Sequence, residues 1–350
     1  MSTPPPILAA GDRFILPELF AEAAARRLGE RADISTLQLE WPDVPFHSVG
    51  GIHEASGTEE ELLEALQGRA AVLTQLAPLS ERVLRESPDL RFIGVSRGGP
   101  TNVDLRTAQE LGILVVNVPG RNGIATAEMT LGLLLAAFRR IPTAHDSLLE
   151  RRWRGDLYRY DQVGREVHGA TIGLIGAGAV GAHVARVLAA LGAEVLVFDP
   201  YLAPGALDGI AEQVAEVEEL FRRSDAVSVH ARLSEDTAGI VSAERLAAMR
   251  PGGILVNAAR GGLVDYAAVA DAIRSGQLGA AAFDVYPDEP VDMDEGVLAL
   301  AREGYDVVLT PHIAGASRET AARAAEGVAE ELRRFLDGEA PLHPLTEVPR

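Results

Sequence analysis

With 350 residues, 47% of them hydrophobic and 24% charged, the chain is long enough for two domains with separate cores and has a globular rather than a disordered composition. It contains no cysteine, which excludes a disulfide framework, a thiol nucleophile and a cysteine-ligated metal site; no metal is expected. A formal net charge of −19 opposes any sustained grip on a phosphate backbone, so no nucleic-acid partner is expected, and an anionic ligand must be held by local arginines and backbone amides.

Residues 1–6 carry neither a basic stretch nor an apolar core, and the longest apolar run, near 131–138, is far short of a membrane span. A cytoplasmic protein with no membrane partner is the expectation. Short apolar runs at 14–16, 34–37, 71–73, 90–95 and 114–116 read as strands, with helical periods at 59–67, 80–86 and 104–111 between the later ones. This alternation predicts a small parallel α/β domain. A glycine-rich break, Arg97-Gly98-Gly99-Pro100, follows the 90–95 strand directly.

A long helix is predicted over 125–140, apolar on most faces, stopped before Pro142 and connecting two domains. The stretch 139–165 mixes arginines with Trp153, Tyr158 and Tyr160. In an acidic chain this suits an arm packed on a second copy, giving a homodimer, better than a nucleic-acid surface.

Residues 171–199 read TIGLIGAGAVGAHVARVLAALGAEVLVFD: strand, glycine turn, helix, strand. Gly176 permits the tight turn, Gly178 lets the backbone approach a pyrophosphate, and Gly181 lets helix and strand pack closely, while the helix N-terminus presents free N–H groups to phosphate. Asp199, at the end of the second strand, is placed to accept hydrogen bonds from an adenosine ribose. An NADP 2′-phosphate would meet its negative charge, and no Arg or Lys directly follows to compensate. NAD is therefore favoured over NADP.

Four further strands are predicted at 226–230, 254–257, 280–283 and 307–309, with helices at 217–223, 243–249 and 266–275. The last helix, 317–336, sets Ala321, Ala325, Val328, Leu332 and Phe335 on one face and stops at Asp337-Gly338. Asp199, His230, Arg260, Asp284 and His312 each follow a predicted strand end, and in an open parallel sheet those ends line one crevice. Arg260 presents a planar fork matched to a carboxylate, as an α-keto or α-hydroxy acid requires. His312 titrates nearest neutrality and can take a hydroxyl proton as hydride leaves the same carbon. Glu289 can hydrogen-bond that imidazole and fix its tautomer.

Together GAGAVG with Asp199, NAARGGLVD (257–265), AAFDVYPDEP (281–290) and TPHIAGAS (310–317) resemble the D-isomer-specific 2-hydroxyacid dehydrogenases, the group that includes phosphoglycerate dehydrogenase. The resemblance covers nearly the whole chain. It implies an NAD-dependent oxidoreductase acting on the CH–OH group of a small 2-hydroxy acid, possibly sugar-derived or phosphorylated, and yielding the 2-keto acid. Arg260 would bind the substrate carboxylate and carbonyl, His312 would be the acid/base and Glu289 its partner. Ala179 and Val180 would offer backbone groups to the pyrophosphate, Asp284 would bond the nicotinamide carboxamide, and Ala258, Ala259 and the turn from His312 to Gly315 would line the cofactor. Arg97, Gly98 and Gly99 would meet the substrate carboxylate.

The implied fold is α/β, with two Rossmann-like or flavodoxin-like parallel-sheet domains, the NAD-binding domain (119–313) inserted into a discontinuous substrate domain (1–118 and 314–350). Domain closure would exclude water from the hydride transfer. Arg232 stands where a proline is usual and reads as a solvent-facing charge. With 38 residues after His312, no C-terminal regulatory domain is expected. The same family contains NAD(H)-sensing corepressors, which keep the same triad; they form the alternative reading.

Overall fold

A computed structural model describes residues 5–41, 47–292, 294 and 296–347. The chain divides into two compact units, Met1–Asn122 with Ala316–Arg350, and Gly123–Gly315.

The first unit runs β1 (Pro6–Gly11), α1 (Pro17–Leu28), β2 (Asp33–Gln38), β3 (His47–Val49), β4 (Ile52–Ala55), α2 (Glu59–Leu66), β5 (Ala71–Thr74), α3 (Glu81–Arg85), β6 (Phe92–Val95), α4 (Leu105–Glu110) and β7 (Leu114–Asn117). Its main sheet has the order β2-β1-β5-β6-β7, every neighbouring pair parallel. The strand order reverses between β1 and β5, the flavodoxin-like arrangement in which ligands gather beyond the carboxyl ends of the strands. Strands β5, β6 and β7 are buried along their whole length, as a sheet covered on both faces requires.

The second unit opens with α5 (Gly123–Phe138) and α6 (Ile141–Leu149), then β8 (Thr171–Ile175), α7 (Ala179–Ala190), β9 (Glu194–Phe198), β10 (Glu212–Gln213), α8 (Val217–Arg223), β11 (Ala226–Val229), α9 (Ala243–Ala248), β12 (Gly253–Asn257), α10 (Tyr266–Arg274), β13 (Leu278–Phe283), α11 (Gly296–Arg302) and β14 (Val307–Leu309). Its sheet, β10-β9-β8-β11-β12-β13-β14, is parallel throughout and doubly wound about β8. One core joins α5 and α7 to the sheet through Leu131, Leu134, Phe138, Val184 and Leu188.

The chain returns to the first unit in α12 (Arg318–Leu336), capped by Ser317, whose hydroxyl accepts from the Thr320 amide at 3.0 Å. Ala321, Ala325, Val328 and Leu332 sit in one core with Phe20, Ala24 and Leu28 of α1. The expected apolar face of α12 is thus the face that closes this unit, with Phe335 tilted on Phe92 at 5.3 Å between ring centroids.

Three expectations are corrected. Residues 14–16 form no strand: the Asp12 carboxylate accepts the amides of Phe14 and Ile15 at 2.7 and 2.9 Å and turns the chain into α1, whose first residue is Pro17. The strand of that region is β1, eight residues earlier at its start. Pro142 does not end a helix but starts one; α5 stops at Phe138, Arg140 takes φ 54°, and the proline occupies the first turn of α6, where its missing N–H costs nothing. Helix α5 lies within the second unit rather than standing apart as a connector. Among the described residues no helix is long and apolar enough to cross a membrane.

Candidate active site

Strand β8 delivers the glycine turn. Gly176 has φ +95°, and a Cβ there would lie 2.9 Å from the Ala231 amide nitrogen. A Cβ on Gly181 would lie 2.2 Å from the Gly176 carbonyl, so this position must also be glycine for α7 to start where it does. Over Gly178 a Cβ would meet nothing within 4 Å, leaving open space above the helix N-terminus. The N–H groups of Ala179, Val180 and Gly181 belong to the first turn of α7 and have no intrahelical acceptor, whereas Ala182 donates to Gly178. An open cradle lined with spare N–H donors fits a dinucleotide pyrophosphate.

Asp199 comes to the same turn from the end of β9. Its Oδ2 accepts from the Ala177 amide at 2.8 Å and its Oδ1 from the Tyr201 amide at 2.9 Å. One lone pair on each oxygen is thereby used and the others remain for a ribose hydroxyl. His230, after β11, packs its Cβ against the Gly181 position and pairs its Nε2 with the Ser228 hydroxyl at 3.0 Å. Burial pushes this imidazole down to about 4, so it is neutral near pH 7 and does not repel or attract by charge.

Strand β12 leads into Ala258, Ala259 and Arg260. Asn257, fully buried, clamps this turn: its Oδ1 accepts from the Ala259 amide at 3.0 Å and its Nδ2 donates to the Arg260 carbonyl at 2.9 Å. Sequence reasoning gave Asn257 no role, although an asparagine at a strand end before a tight turn is the available signal. The Arg260 guanidinium is exposed, donates to the Ala259 carbonyl at 2.7 Å and has no ion pair among the described residues. A Cβ on Gly261 would lie 1.9 Å from the Tyr286 carbonyl, so glycine is what seats the Arg260 turn against the segment leading to Glu289.

Glu289 and His312 meet directly. Glu289 Oε1 accepts from the Tyr286 amide at 3.0 Å, and Oε2 lies 2.6 Å from His312 Nδ1. His312 follows β14 with φ 54°, and its own amide donates to the Asp284 carbonyl at 2.8 Å. Asp284 is 0% exposed. Its carboxylate accepts from the Thr310 hydroxyl at 2.6 Å and from the amides of Ile313 and Ala314 at 2.9 and 2.8 Å. Asp284 therefore shapes the turn that carries His312 and leads to Gly315, an internal task in addition to the cofactor contact expected of it.

The structure brings Gly176, Gly178, Ala179, Val180, Gly181 and Asp199 to one turn, Asp284, Glu289 and His312 to another, and seats the Arg260 turn on the segment that precedes Glu289. Arg97, Gly98 and Gly99 lie in the first unit, after β6. There the Asn117 side chain donates to the Gly98 carbonyl at 2.8 Å and the Val118 amide to the Arg97 carbonyl at 3.0 Å. Arg97 itself pairs with Glu54. Arg232 is exposed.

The second unit is thus a doubly wound dinucleotide-binding unit with a carboxylate–imidazole pair beyond its strand ends. Residues 131–314 match the model of the D-isomer specific 2-hydroxyacid dehydrogenase, NAD binding domain, and the chain belongs to that family, with NAD as the cofactor of this domain. It is 36% identical to a D-3-phosphoglycerate dehydrogenase of Mycobacterium bovis over 326 residues, 93% of this chain and 57% of that protein. The chain therefore spans little more than half the length of that relative. A glyoxylate reductase of Korarchaeum cryptofilum is 34% identical over 289 residues, 82% of this chain and 86% of the relative. The crystal structure of the TT0316 protein from Thermus thermophilus aligns with a TM-score of 0.75 at 30% identity, covering 97% of this chain and all of that one.

Proposed function

We propose that the chain is an NAD-dependent D-2-hydroxyacid dehydrogenase that interconverts a small 2-hydroxy acid, sugar-derived or phosphorylated, and its 2-keto acid. The observation that carries this reading is the 2.6 Å contact of His312 Nδ1 with Glu289 Oε2 in the unit that holds the glycine turn. Glu289 accepts a hydrogen bond from Nδ1–H of His312 and leaves Nε2 as the acid/base. Bound NAD supplies the hydride acceptor, and in the reverse direction its reduced form supplies the donor. Arg260 holds the substrate carboxylate in its fork and polarises the carbonyl oxygen. His312 removes the hydroxyl proton during oxidation and returns it to the carbonyl oxygen during reduction.

In this reading the first unit, with the loop of Arg97, Gly98 and Gly99, is the substrate domain (1–118 and 314–350), and 119–313 is the cofactor domain. The names of the relatives support a small 2-oxo or 2-hydroxy acid. A homodimer is part of the proposal: Trp153, Tyr158 and Tyr160 are 89%, 94% and 98% exposed, and such aromatic area is what interfaces cover. Arg154 and Arg159 of the same arm are paired with Asp156 and Asp161, which offsets their positive charge.

The test is NADH formation or consumption over a panel of 2-hydroxy and 2-keto acids. Turnover of at least one D-2-hydroxy acid is expected. Tight NAD binding with no turnover of any acid would overturn the enzyme reading in favour of an NAD(H)-sensing corepressor-like protein.

A further inference from the structure

Glu331 lies in the second half of α12, is 2% exposed, and has no part in the site described above. A carboxylate withdrawn from water needs partners, and here they are backbone amides. Its Oε1 accepts from His343 at 2.8 Å and from Leu342 at 3.1 Å, and its Oε2 accepts from Leu342 at 2.9 Å. The chain leaves α12 through Asp337 and Gly338, the latter at φ +71°, and turns back; the carboxylate catches it as it returns.

The returning segment runs along β7, the last strand in the order β2-β1-β5-β6-β7. The Leu345 amide donates to the Val115 carbonyl at 2.8 Å, and the Asn117 amide donates to the His343 carbonyl at 3.1 Å. Thr346, buried, bridges the two bonds: its hydroxyl accepts from the Val115 amide at 2.8 Å and donates to the Ile113 carbonyl at 2.8 Å. Val116 and Pro344 form an antiparallel bridge between them. Residues 342–346 thus satisfy the outward-facing groups that an edge strand otherwise leaves to water.

At the carboxyl end of β7 this segment reaches the loop of Arg97, Gly98 and Gly99 through one buried residue. Asn117 gives its backbone amide to His343 and its side-chain Nδ2 to the Gly98 carbonyl, the latter at 2.8 Å. The next amide, Val118, donates to the Arg97 carbonyl at 3.0 Å. The glycines themselves are sparsely packed: a Cβ on Gly99 would meet nothing within 4 Å, and one on Gly98 would find Pro119 Cα at 3.9 Å. The loop is therefore held by its hydrogen bonds to the end of β7 more than by packing.

We propose that residues 342–346, clamped by Glu331, form a strap that positions the loop of Arg97, Gly98 and Gly99 for substrate. The strap fixes Asn117, and Asn117 fixes Gly98. Glu331, Thr346 and Asn117 are positioning residues, each buried and each acting through the backbone. The proposal rests on the reading above for the role of the loop in holding a 2-hydroxy acid, but not for the mechanical link. Such a link matters because a shift of about 1 Å in a group that holds substrate can cost about 10²-fold in rate.

The experiment uses the full chain and the variants Glu331→Gln, Thr346→Val and Asn117→Ala, with melting curves to confirm folding. Glu331→Gln keeps the shape of the clamp and turns one acceptor into a donor; Thr346→Val breaks the strap independently, should the first variant not fold. Amide hydrogen exchange is read at Asn117 and Val118, the second of which reports the bond to Arg97, against β5 as reference. Beside it, kcat and KM are measured with the best acid of the panel, and NAD affinity by titration. Both strap variants speed exchange at Asn117 and Val118 by about tenfold or more while β5 stays protected. They raise KM for the acid by about three- to tenfold and leave NAD affinity within about twofold, because the glycine turn belongs to the other unit. Adding Glu331→Gln to Asn117→Ala raises KM no further, since the link is already cut. Unchanged exchange at Val118 in both strap variants overturns the proposal. So does faster exchange spread evenly over the sheet, a wild-type KM despite faster exchange, or additive effects of Glu331→Gln and Asn117→Ala on KM. Exchange at Val118 that follows the strap in a protein that turns over no acid leaves the strap standing and removes the dehydrogenase reading instead.

Discussion

His312 and Glu289 lie 23 positions apart in the chain and 2.6 Å apart in space, Nδ1 to Oε2. The contact is built from both sides. His312 sits at φ 54°, a left-handed conformation uncommon among non-glycine residues and reached chiefly by Asn, Asp and His, and its amide donates to the Asp284 carbonyl there. Glu289 is fixed by the Tyr286 amide on its other oxygen. An imidazole oriented in this way presents Nδ1 to the carboxylate, which favours the tautomer protonated there.

His312→Asn is the informative replacement, because asparagine tolerates the left-handed backbone while removing the base. Loss of a positioned acid/base lowers kcat by roughly 10²- to 10⁴-fold. NAD affinity, measured by fluorescence titration, stays within about threefold, since Gly176, Gly178 and Asp199 lie on another turn. Parallel loss of NAD binding and turnover would make His312 a structural residue of the 310–315 turn.

Arg260→Lys keeps the charge and removes the planar fork. If the fork binds a substrate carboxylate, kcat/KM falls by about tenfold or more while NAD affinity changes little, because a point charge cannot make the bidentate pair. Steady-state kinetics with the best acid of the panel, beside NAD titration, separates the two. A lysine variant with wild-type kcat/KM would show that the side chain only faces solvent, as its hydrogen bond to the Ala259 carbonyl would permit.

Most strands were legible because buried parallel strands are short apolar runs, as at 71–73 and 114–116, which fall inside β5 and β7. Strand β1 was not. Its Pro-Ile-Leu-Ala-Ala-Gly run begins on the last residue of a triple proline and is small-residue rich, while the bulky Phe14 and Ile15 nearby look more like a strand and are in fact turned by Asp12. In the site, residue types and spacing pointed to Arg260, Glu289 and His312. The clamps around them, Asn257 and the three bonds to Asp284, depend on which backbone amides converge, and spacing alone does not encode that.

Asp199→Asn tests the cofactor preference with the turn preserved. The carboxylate also accepts the Ala177 and Tyr201 amides, so alanine would orphan two donors and confuse selectivity with folding. Asparagine keeps an acceptor and removes the charge that repels a 2′-phosphate. The NAD to NADP ratio of kcat/KM is expected to fall by roughly 1–3 kcal/mol in transition-state terms. An unchanged ratio would remove Asp199 from the ribose site.

His230 gives the protein an acid-side weakness. Its imidazole has an ordinary value of 6.5 and is pushed down to about 4 by burial, so folding favours the neutral form. The unfolded chain takes up the proton first as pH falls. Stability from this group is complete above 6.5 and is lost progressively between 6.5 and 4, about 2 kcal/mol of it by pH 5. Urea melts of wild type and His230→Gln at pH 7.5 and pH 5 check this: the variant loses less on acidification, by about that amount. Parallel pH profiles would mean that His230 is solvated and its neutrality incidental.

Gly178 and Gly181 stand three residues apart, and the space around them separates folding from cofactor binding. A methyl on Gly181 would lie 2.2 Å from the Gly176 carbonyl, a backbone atom that cannot swing aside. Gly181→Ala must shift α7 against β8, at a cost of about 1–3 kcal/mol or more. A methyl on Gly178 meets no protein atom within 4 Å, so Gly178→Ala leaves the melting temperature without ligand nearly unchanged. It does, however, occupy the space a pyrophosphate needs above the N–H groups of Ala179 and Val180, and NAD affinity falls by about tenfold or more. Melting curves with and without NAD read both effects. Wild-type stabilisation of Gly178→Ala by NAD would place the pyrophosphate elsewhere, and with it the whole assignment of the turn.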